Sequence, residues 1–514
     1  MPRRVGGIRA QAAGNKNSGS EKRVHEDRGG SSLMRRCHRM IVLGWLVIGG
    51  VVAPATAGNL LDSARLADPF ATESMTAPAP ERPWQAGEPL PQAPEPPKHA
   101  RPSELPAALS LAQLTDLALL HNPATREAWA FARAQAAELG IERSSYWPQL
   151  DALVNLTHSK PISSAGASIP IQTRYGPSVS LAYTLFDFGS RAGVVEAARY
   201  RLLAANLLQN RALQDVVLQV EQAYYQVLGL EQLVTANQEA LKSAEVSLDA
   251  ARARRAAGLA TLGDVYRAET ARGQALLTLR RNQGELSKAR GQLATSAGLA
   301  VDSALTLEPW PGEPPVARIA ESLDRILEQA KSMRPDLIAA EAQVRAARAA
   351  VEAAQGAGLP SLELVSNAGR TLFADDRPGS NSYSIGVSLR IPLFSGFANT
   401  YDVRLAEAQV DQAEAVRDRL YRQSALDVWQ AYFDLNTAAT GIDVSSSVLR
   451  SANRSAEVAL ARYKSGVGSL LDLLTAQADQ AAARVQGIQS QLDWYTGLAR
   501  LAHARGALPL GFTP

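Results

Sequence analysis

Cysteine is nearly absent from this sequence: Cys37 is the single one among 514 residues. It lies just before a short apolar stretch, residues 41–52, which follows several arginines and precedes the small-residue triplet Ala55-Thr56-Ala57. This order is typical of a secretory signal peptide, and the stretch is too short to span a bilayer as a helix. We therefore expect an exported chain that begins at Gly58, with no disulfide bond and no cysteine to carry a lipid anchor.

A charge excess and catalytic motifs are missing as well. The 53 Lys and Arg residues nearly balance the 50 Asp and Glu residues, and the net charge of +3 gives no sign of a nucleic-acid partner. The chain contains neither a glycine-rich phosphate loop nor a nucleophile elbow. No metal-ligand spacing connects the histidines of the expected mature chain, which are His99, His121, His158 and His503. The sequence therefore predicts a protein that is not an enzyme and binds no metal or cofactor.

What the sequence does contain is a duplication. Two landmarks recur 208 positions later: Ala223-Tyr224-Tyr225 as Ala431-Tyr432-Phe433, and Leu262-Gly263-Asp264 as Leu470-Leu471-Asp472. Further upstream, Asn122-Pro123 recurs as Arg334-Pro335 at an offset of 212. A register held over these landmarks indicates one structural unit built twice.

The duplication divides the chain into domains. Residues 1–57 form an N-terminal extension and signal peptide, in which Met34 is an alternative start to Met1. The eleven prolines of residues 58–109 predict an extended or disordered linker, because proline fixes φ and lacks an amide donor. The first repeat is expected over 110–300 and the second over 321–507, with a connector at 301–320 and a tail at 508–514.

Runs with a period of two predict two strands in each repeat. The clearest run alternates small polar residues with Tyr383, Ile385, Val387, Leu389, Ile391 and Leu393. Similar runs occupy 150–157 and 178–185, and Leu362 and Leu364 begin a weaker fourth run. Each run has about ten residues, the length that a tilted strand needs to cross a bilayer. A soluble sandwich would show the same alternation.

Two long stretches without proline predict helices far longer than a globular core requires. Residues 190–256 and 397–464 would each form a helix on the order of 100 Å long. Each ends at a short glycine-containing turn, after which a helix returns over 262–297 and 470–504. These helices have too many alanines and polar residues for a plain coiled coil, and packing around a wide, water-filled tube suits them better.

Four strands are too few for a closed barrel. Bacterial barrels have at least about eight strands, and open edges are not tolerated in lipid. The signal peptide favours an outer-membrane location. The chain would then share its barrel with copies of itself, and three copies would give twelve strands.

Several motifs carry a resemblance to a known family. The family's first signature is matched by Ser110-Leu111-Ala112-Gln113-Leu114, and its helix-to-strand entry by Tyr146-Trp147-Pro148. Its two strand-to-helix exits are matched by Leu185-Phe186-Asp187-Phe188-Gly189 and Leu393-Phe394-Ser395-Gly396. Its second tip is matched by Arg462-Tyr463-Lys464-Ser465-Gly466. On these motifs the chain, from about residue 110 to 507, resembles the TolC family of outer-membrane factors.

The resemblance implies an α+β membrane protein with a duplicated helix–strand–strand–helix–helix unit. It would form a homotrimer, with a twelve-stranded outer-membrane β-barrel continued by a long periplasmic α-helical barrel. Its partners would be a periplasmic adaptor protein, an inner-membrane ABC or proton-driven transporter, and outer-membrane lipid. The chain would be a passive export duct. The missing lipoprotein cysteine favours type I secretion of a protein, such as a toxin or hydrolase. Small-molecule efflux and a structural envelope stalk stay open as alternatives.

The resemblance also places functional residues where the helix hairpins turn. Adaptor contacts are implied for Gly258, Leu259, Thr261, Gly466, Val467 and Ser469. Periplasmic gate residues are implied at Asp472, Asp264 and Tyr463. Gly468 and Thr475 depart from the family pattern, which has an arginine latch and a second aspartate at these positions. A salt-bridge latch would therefore be absent or rebuilt with Arg462 or Lys464.

Overall fold

The computed structural model describes residues 72–83, 108–160, 162, 166, 170–309, 322–375 and 377–507. The predicted signal peptide, both candidate start positions, most of the linker and the tail from residue 508 lie outside this part of the chain. The helices are α1 Leu111–His121, α2 Pro123–Ser144, α3 Ser190–Ala256, α4 Leu262–Ser296, α5 Leu323–Met333, α6 Pro335–Ala357, α7 Ala398–Lys464 and α8 Leu470–Arg505. The strands are β1 Gln149–Ser159, β2 Gln172–Phe186, β3 Ser361–Phe373 and β4 Ser380–Arg390.

The two halves of the chain have the same element order, as the duplication predicts. In the first half α1, α2, β1, β2, α3 and α4 follow one another, and α5, α6, β3, β4, α7 and α8 repeat them. The long helices α3 and α7 have 67 residues each. At about 1.5 Å per residue each is about 100 Å long, and both begin and end within one residue of the predicted bounds.

Each half also contains the same corner, where a short helix meets the next one at a proline. Proline is favourable at the first helical position because that position needs no amide donor. The side chain of the residue before the proline donates a hydrogen bond to a carbonyl at the C-terminal end of the returning helix, α4 or α8. Asn122 Nδ2 donates to the Ser296 carbonyl at 2.9 Å, and Arg334 Nη1 donates to the Ala504 carbonyl at 3.4 Å. Since Ser296 and Ala504 are 208 positions apart, the repeat extends to individual hydrogen bonds.

The corner of the second half is charged, whereas that of the first half is neutral. The Arg334 side chain is only 4% exposed and pairs with Asp336 at 2.7 Å and with Asp427 at 3.0 Å. Burial disfavours the charged forms of Arg334 and Asp336. The ion pairs outweigh burial, so the pKa of Arg334 is raised and the pKa of Asp336 is lowered. Removing one partner would leave a buried charge uncompensated.

Alanine is frequent in the packed interior between the helices. The two largest apolar clusters occupy equivalent places in the two halves: Val220, Ala223 and Leu293 in the first, and Val428, Ala431 and Leu501 in the second. Within the described ranges, no helix combines the length and the apolar character needed to cross a membrane.

The strands form one antiparallel sheet in the order β1-β2-β3-β4. Because paired residues lie on the same face, the register shows whether the predicted alternation is continuous. Leu364 lies between Tyr183 and Val387, and Ala368 lies between Val179 and Tyr383; between them Ser366 is the one polar residue, opposite Leu181 and Ile385. One face is therefore apolar across all four strands, as at Leu150, Val154, Val179, Leu181, Leu364, Ile385 and Val387. The opposite face is largely polar, as at Asp151, Asn155, Ser180, Asn367, Ser384 and Ser388.

Two strands differ from the predicted bounds. β3 is a full strand of 13 residues, because its main chain pairs on both sides even from Ser366 to Gly369, where the side chains are small or polar. β4 ends at Arg390, so Ile391 and Leu393 lie beyond it. Pro392 has no amide hydrogen to donate to a neighbouring strand, which accounts for the early end.

Sharp turns connect the strands to the long helices. Gly189 and Gly396 take φ values of +89° and +65°, a region that favours glycine. Each turn also places a phenylalanine there, Phe188 at +50° and Phe397 at +67°. The order is Phe-Gly in the first half and Gly-Phe in the second. Each turn therefore needs two consecutive left-handed residues, of which glycine supplies one.

Part of the predicted linker is folded, which corrects the expectation for residues 72–83. This segment begins with a 3-10 turn, Thr72–Met75, and packs against α2 and α3. Asn206 Nδ2 donates to the Met75 carbonyl at 2.9 Å, and Trp129 Nε1 donates to the Ala77 carbonyl at 2.7 Å. Proline removes donors from such a segment but leaves its carbonyls as acceptors, and side chains of α2 and α3 supply the donors.

Candidate functional site

Each helix hairpin ends in a tight turn, and the two turns have the same geometry. We call residues 257–261 the first tip and residues 465–469 the second tip. Gly258 and Gly466 take φ values of +73° and +80° and end the helices, as glycine commonly does. The next residues, Leu259 and Val467, are 72% and 71% exposed. The tips therefore present an apolar side chain to solvent at equivalent positions.

The main chain of each tip is closed by a hydrogen bond from this exposed residue. The Leu259 amide donates to the Arg254 carbonyl at 2.8 Å, and the Val467 amide donates to the Arg462 carbonyl at 3.0 Å. The six predicted adaptor-contacting residues all lie in these two turns. Their glycines have a clear structural role there, since a residue with a Cβ rarely adopts the required backbone conformation.

A capping box begins the helix that leaves each tip. In the first tip, the Asp264 amide donates to Thr261 Oγ1 at 3.2 Å, and the Thr261 amide donates to Asp264 Oδ2 at 2.9 Å. In the second tip, the Asp472 amide donates to Ser469 Oγ at 3.0 Å, with a longer return contact of 3.4 Å. Hydrogen bonds from Thr261 lower the pKa of Asp264, and the Arg267 charge adds to this effect. Both aspartates thus have a structural role as caps, and Asp472 is also exposed to solvent.

The third predicted gate residue, Tyr463, lies inside the protein. Its side chain is 6% exposed in an apolar cluster that joins the two hairpins. The other buried members come from α3, α4 and α8: Leu248, Ala251, Val265, Ala268, Leu470 and Leu473. The three predicted gate residues are therefore at the same end of the molecule, and Tyr463 holds the hairpins together there.

Arg254 is a site residue that the sequence reasoning missed. Its guanidinium carbon lies 4.6 Å from the centre of the Tyr463 ring, and its Nη1 donates to the Tyr463 carbonyl at 2.7 Å. Both contacts join α3 of the first hairpin to α7 of the second. In the sequence Arg254 stands among Arg252 and Arg255 and looks like part of a solvated basic run. The sequence feature that points to Arg254 is its repeat counterpart, Arg462, which begins the motif of the second tip.

The sequence left open a salt-bridge latch rebuilt with Arg462 or Lys464, and the contact observed between the tips of the two hairpins is a different one. Contact between the hairpins is made by Arg254 rather than by Arg462 or Lys464. Gly468 has a steric role, since a Cβ at this position would lie 3.0 Å from the Cβ of Arg462. Arg462 and Asp472 instead line an open cleft of about 410 Å³ on the second hairpin.

The fold and the tips together define a class of protein. A sheet with a continuous apolar face is extended by helix hairpins about 100 Å long, whose tips present matched turns far from the sheet. This arrangement suits a membrane channel that reaches toward a distant partner.

Comparison with known proteins identifies the family. The outer membrane efflux protein family matches residues 114–299 and 326–507, and the chain belongs to this family. It is 32% identical to protein CyaE of Bordetella pertussis, over 78% of this chain and 84% of the relative. It is 29% identical to outer membrane protein OprJ of Pseudomonas aeruginosa, over 77% and 84% of the two chains. The crystal structure of a membrane protein from Pseudomonas aeruginosa shares its fold with a TM-score of 0.70 and 28% identity, over 77% of this chain and 92% of that one.

These findings confirm the resemblance drawn from the motifs. The protein is an outer-membrane protein with a large periplasmic helical part, as expected for a Gram-negative bacterium. Its family consists of outer-membrane channels rather than enzymes.

Proposed function

We propose that the protein is a homotrimeric channel-tunnel that passively conducts cargo from a periplasmic adaptor and an inner-membrane pump to the cell exterior. The observation that carries this proposal is the open sheet. In the described part of the chain its edge strands, β1 and β4, each pair with one neighbour only, and its apolar face is exposed in the single chain. Because unpaired edges are costly in lipid, copies of the chain must pair them. Three copies give a closed barrel of twelve strands.

The helices give independent support for a shared tunnel. α7 carries exposed large side chains along much of its length, including Tyr401, Tyr421, Trp429, Phe433, Val444 and Val458. Monomeric proteins rarely leave apolar surface of this extent open to water. A neighbouring copy packed against α7 would cover it, and twelve helices would then surround the tunnel.

The tips are the proposed site of contact with the adaptor. Leu259 and Val467 extend into solvent from rigid, capped turns, so they can bind an apolar partner surface without ordering a loop first. Asp472 lies nearby, and three copies of this carboxylate around a narrow entrance would favour cations. The chain supplies no energy of its own in this scheme, and the pump would be an ABC or a proton-driven transporter.

For the cargo, we favour a secreted protein of a type I system. The predicted cleavage triplet is followed by Gly58 rather than by the cysteine that a lipid anchor needs. Small-molecule efflux is the second candidate, because the family itself is described as efflux proteins. Both cargoes fit the same architecture.

Two measurements test this proposal. The detergent-extracted protein should have the mass of a trimer by light scattering after subtraction of detergent, and it should form ion-conducting channels in planar bilayers. A monodisperse monomer would overturn the barrel argument.

Complementation distinguishes the two cargoes. In a Gram-negative strain without its own outer-membrane channel, the protein is produced with either an ABC exporter and its adaptor or a proton-driven pump and its adaptor. We expect a secreted protein substrate in the medium with the first pair. Restored drug tolerance with the second pair alone would favour efflux instead.

A further inference from the structure

The apolar face of the sheet carries one Arg side chain, that of Arg370 in β3. It lies between Ala368 and Leu372 on this face, because residues two positions apart in a strand point the same way. In the four strands, which the structure describes in full, no other Arg and no Lys, Asp or Glu lies on the apolar face. These residue types otherwise lie on the polar face, at Asp151, Arg174, Glu363 and Arg390. A charge on a surface that meets lipid is costly, so this exception calls for a function.

The position of Arg370 in its strand sets its depth in the membrane. β3 begins next to the end of α6 and ends at Phe373, so the end near Phe373 is the one that faces away from the periplasmic helices. Arg370 is three residues from that end. At ~3.3 Å per residue and a tilt of ~45°, this distance is about 7 Å of height. A long side chain at this depth keeps its stem in the apolar region and extends its charged head to the interface, here that of the outer leaflet.

This depth rests on the proposed function, in which the apolar face meets lipid. In the closed barrel β3 lies between β2 and β4 of the same chain. The residues beside Arg370 across the sheet therefore belong to its own subunit, and a second copy cannot supply a carboxylate there from an adjacent strand.

Among the described residues, nothing neutralises the charge of Arg370. Its side chain is exposed and forms no ion pair or hydrogen bond with them. Asn381 lies opposite on β4, and the register of Ser178 with Gly369 places Pro177 opposite on β2. Neither neighbour is charged. The partner of this guanidinium is therefore to be sought in the membrane.

The surroundings of Arg370 suit a polar group that approaches from the lipid. Pro177 has no amide hydrogen, and the pairing of β2 with β3 is interrupted at this point, between Tyr175 and Ser178. Asn381 provides a side-chain amide and Tyr175 a hydroxyl, and both residues lie on the apolar face. Hydrogen-bond donors thus occur on three adjacent strands at the outer edge of this face.

We propose that Arg370 binds a phosphate group of an outer-leaflet lipid, with Asn381 and Tyr175 as further donors. A guanidinium matches phosphate oxygens through two parallel hydrogen bonds. An anionic lipid compensates the charge that the protein leaves unpaired, and basic residues at membrane interfaces recognise such headgroups. The isolated charge on an otherwise uncharged face, at the depth of the outer headgroups, carries this inference. Each subunit has one such site.

Lipid binding to the purified trimer tests the proposal. The probe is diphosphorylated lipid A, the phosphate-bearing anchor of the glycolipid that forms the outer leaflet. Trimers in detergent are titrated with it, and native mass spectrometry counts the bound molecules. The variant is Arg370→Gln. The matched control is Arg174→Gln, which removes an arginine near the same end of the sheet from the polar face.

We expect up to three lipid A molecules on each wild-type trimer. Arg370→Gln should weaken binding by roughly 10- to 100-fold, as the loss of hydrogen bonds to a charged group implies, and Arg174→Gln should change it little. Lipid A without its phosphates should bind the wild type as weakly as intact lipid A binds Arg370→Gln. An excess of inorganic phosphate should not displace the lipid.

Four results would each overturn the proposal. They are equal binding by Arg370→Gln and the wild type, equal losses for the two variants, tight binding of lipid A without phosphates, and displacement by inorganic phosphate, which would indicate a site for the free ion. A wild-type chain that forms no trimer contradicts the proposed function instead, so the two failures are distinguishable.

The stability of Arg370→Leu gives a second test, in which the sign of the effect depends on the lipid. Urea unfolding is measured in phosphatidylcholine vesicles with and without lipid A. Without lipid A the variant should be at least as stable as the wild type, because it removes a charge from the lipid side. With lipid A the variant should have the lower urea midpoint. The same shift in both kinds of vesicle, or none in either, contradicts phosphate binding by Arg370.

Discussion

Ile385 allows a direct test of the apolar sheet face. It is the central residue of β4, five residues from either end, and lies on the same face as Val387 and Leu389. Ser384 next to it points to the opposite face, because successive side chains of a strand alternate. Ile385→Arg and Ser384→Arg therefore place the same charge at nearly the same depth on opposite sides of the sheet.

The expected cost follows from the position of this residue in the strand. The 11 residues of β4 span about 36 Å at ~3.3 Å per residue, and a tilt of ~45° reduces this to about 25 Å, the height of the apolar band of a barrel. Ile385 is therefore near the midplane. An arginine on the lipid side there costs about 2–4 kcal/mol, and in the proposed trimer the cost is incurred once in each copy. Ser384→Arg would face the watery lumen and should cost little.

The urea midpoint for unfolding from lipid vesicles measures this cost, and light scattering measures the yield of trimers. We expect both to fall for Ile385→Arg and to change little for Ser384→Arg. Equal losses for the two variants, or a larger loss for Ser384→Arg, would refute the assignment of the apolar face to lipid.

Two further predictions concern the tips and the corners. Asp472→Ala should reduce cation selectivity and weaken block by trivalent cations added from the periplasmic side, whereas Thr475→Ala should change neither; unchanged selectivity would make Asp472 only a helix cap. Arg334→Met should lower the free energy of unfolding by about 3–5 kcal/mol, because it removes the main ion-pair partner of Asp336, whose side chain is only 14% exposed. Asn122→Ala, at the neutral corner, should cost only about 1 kcal/mol, and similar thermal shifts for the two variants would contradict the role of the ion network.

The sequence was sufficient for those parts of the fold that follow from periodic patterns. Alternation around Ile385 predicted a strand and its two faces, and the long interval without proline from residue 190 predicted α3 almost to the residue. Both patterns act locally, through side-chain direction and backbone sterics, so a single chain reveals them. The bounds of β3 were harder to predict, because main-chain hydrogen bonds hold its polar centre in the sheet. Such bonds do not depend on the side chains, so the sequence does not reveal them.

Contacts between distant segments could not be read from the sequence. Arg254 reaches Tyr463 across more than 200 positions, and nothing in the run of arginines distinguishes it from its solvated neighbours. The prolines of residues 72–83 predict a linker, yet side chains of α2 and α3 donate hydrogen bonds to the carbonyls of Met75 and Ala77. At Phe188 and Phe397, the tertiary course of the chain imposes a backbone conformation that phenylalanine does not favour by itself.

The equal length of α3 and α7 has a geometric consequence for assembly. Both helices run for 67 residues from their strand to their tip, so the two turns of one chain end at the same height. In a trimer, all six turns would then form a level rim. One inserted residue in either helix would raise its turn by about 1.5 Å and rotate it by about 100°. A partner that contacts all six turns would then lose its contacts with the three displaced turns. Docking of such a partner therefore requires that the two helices have the same number of residues.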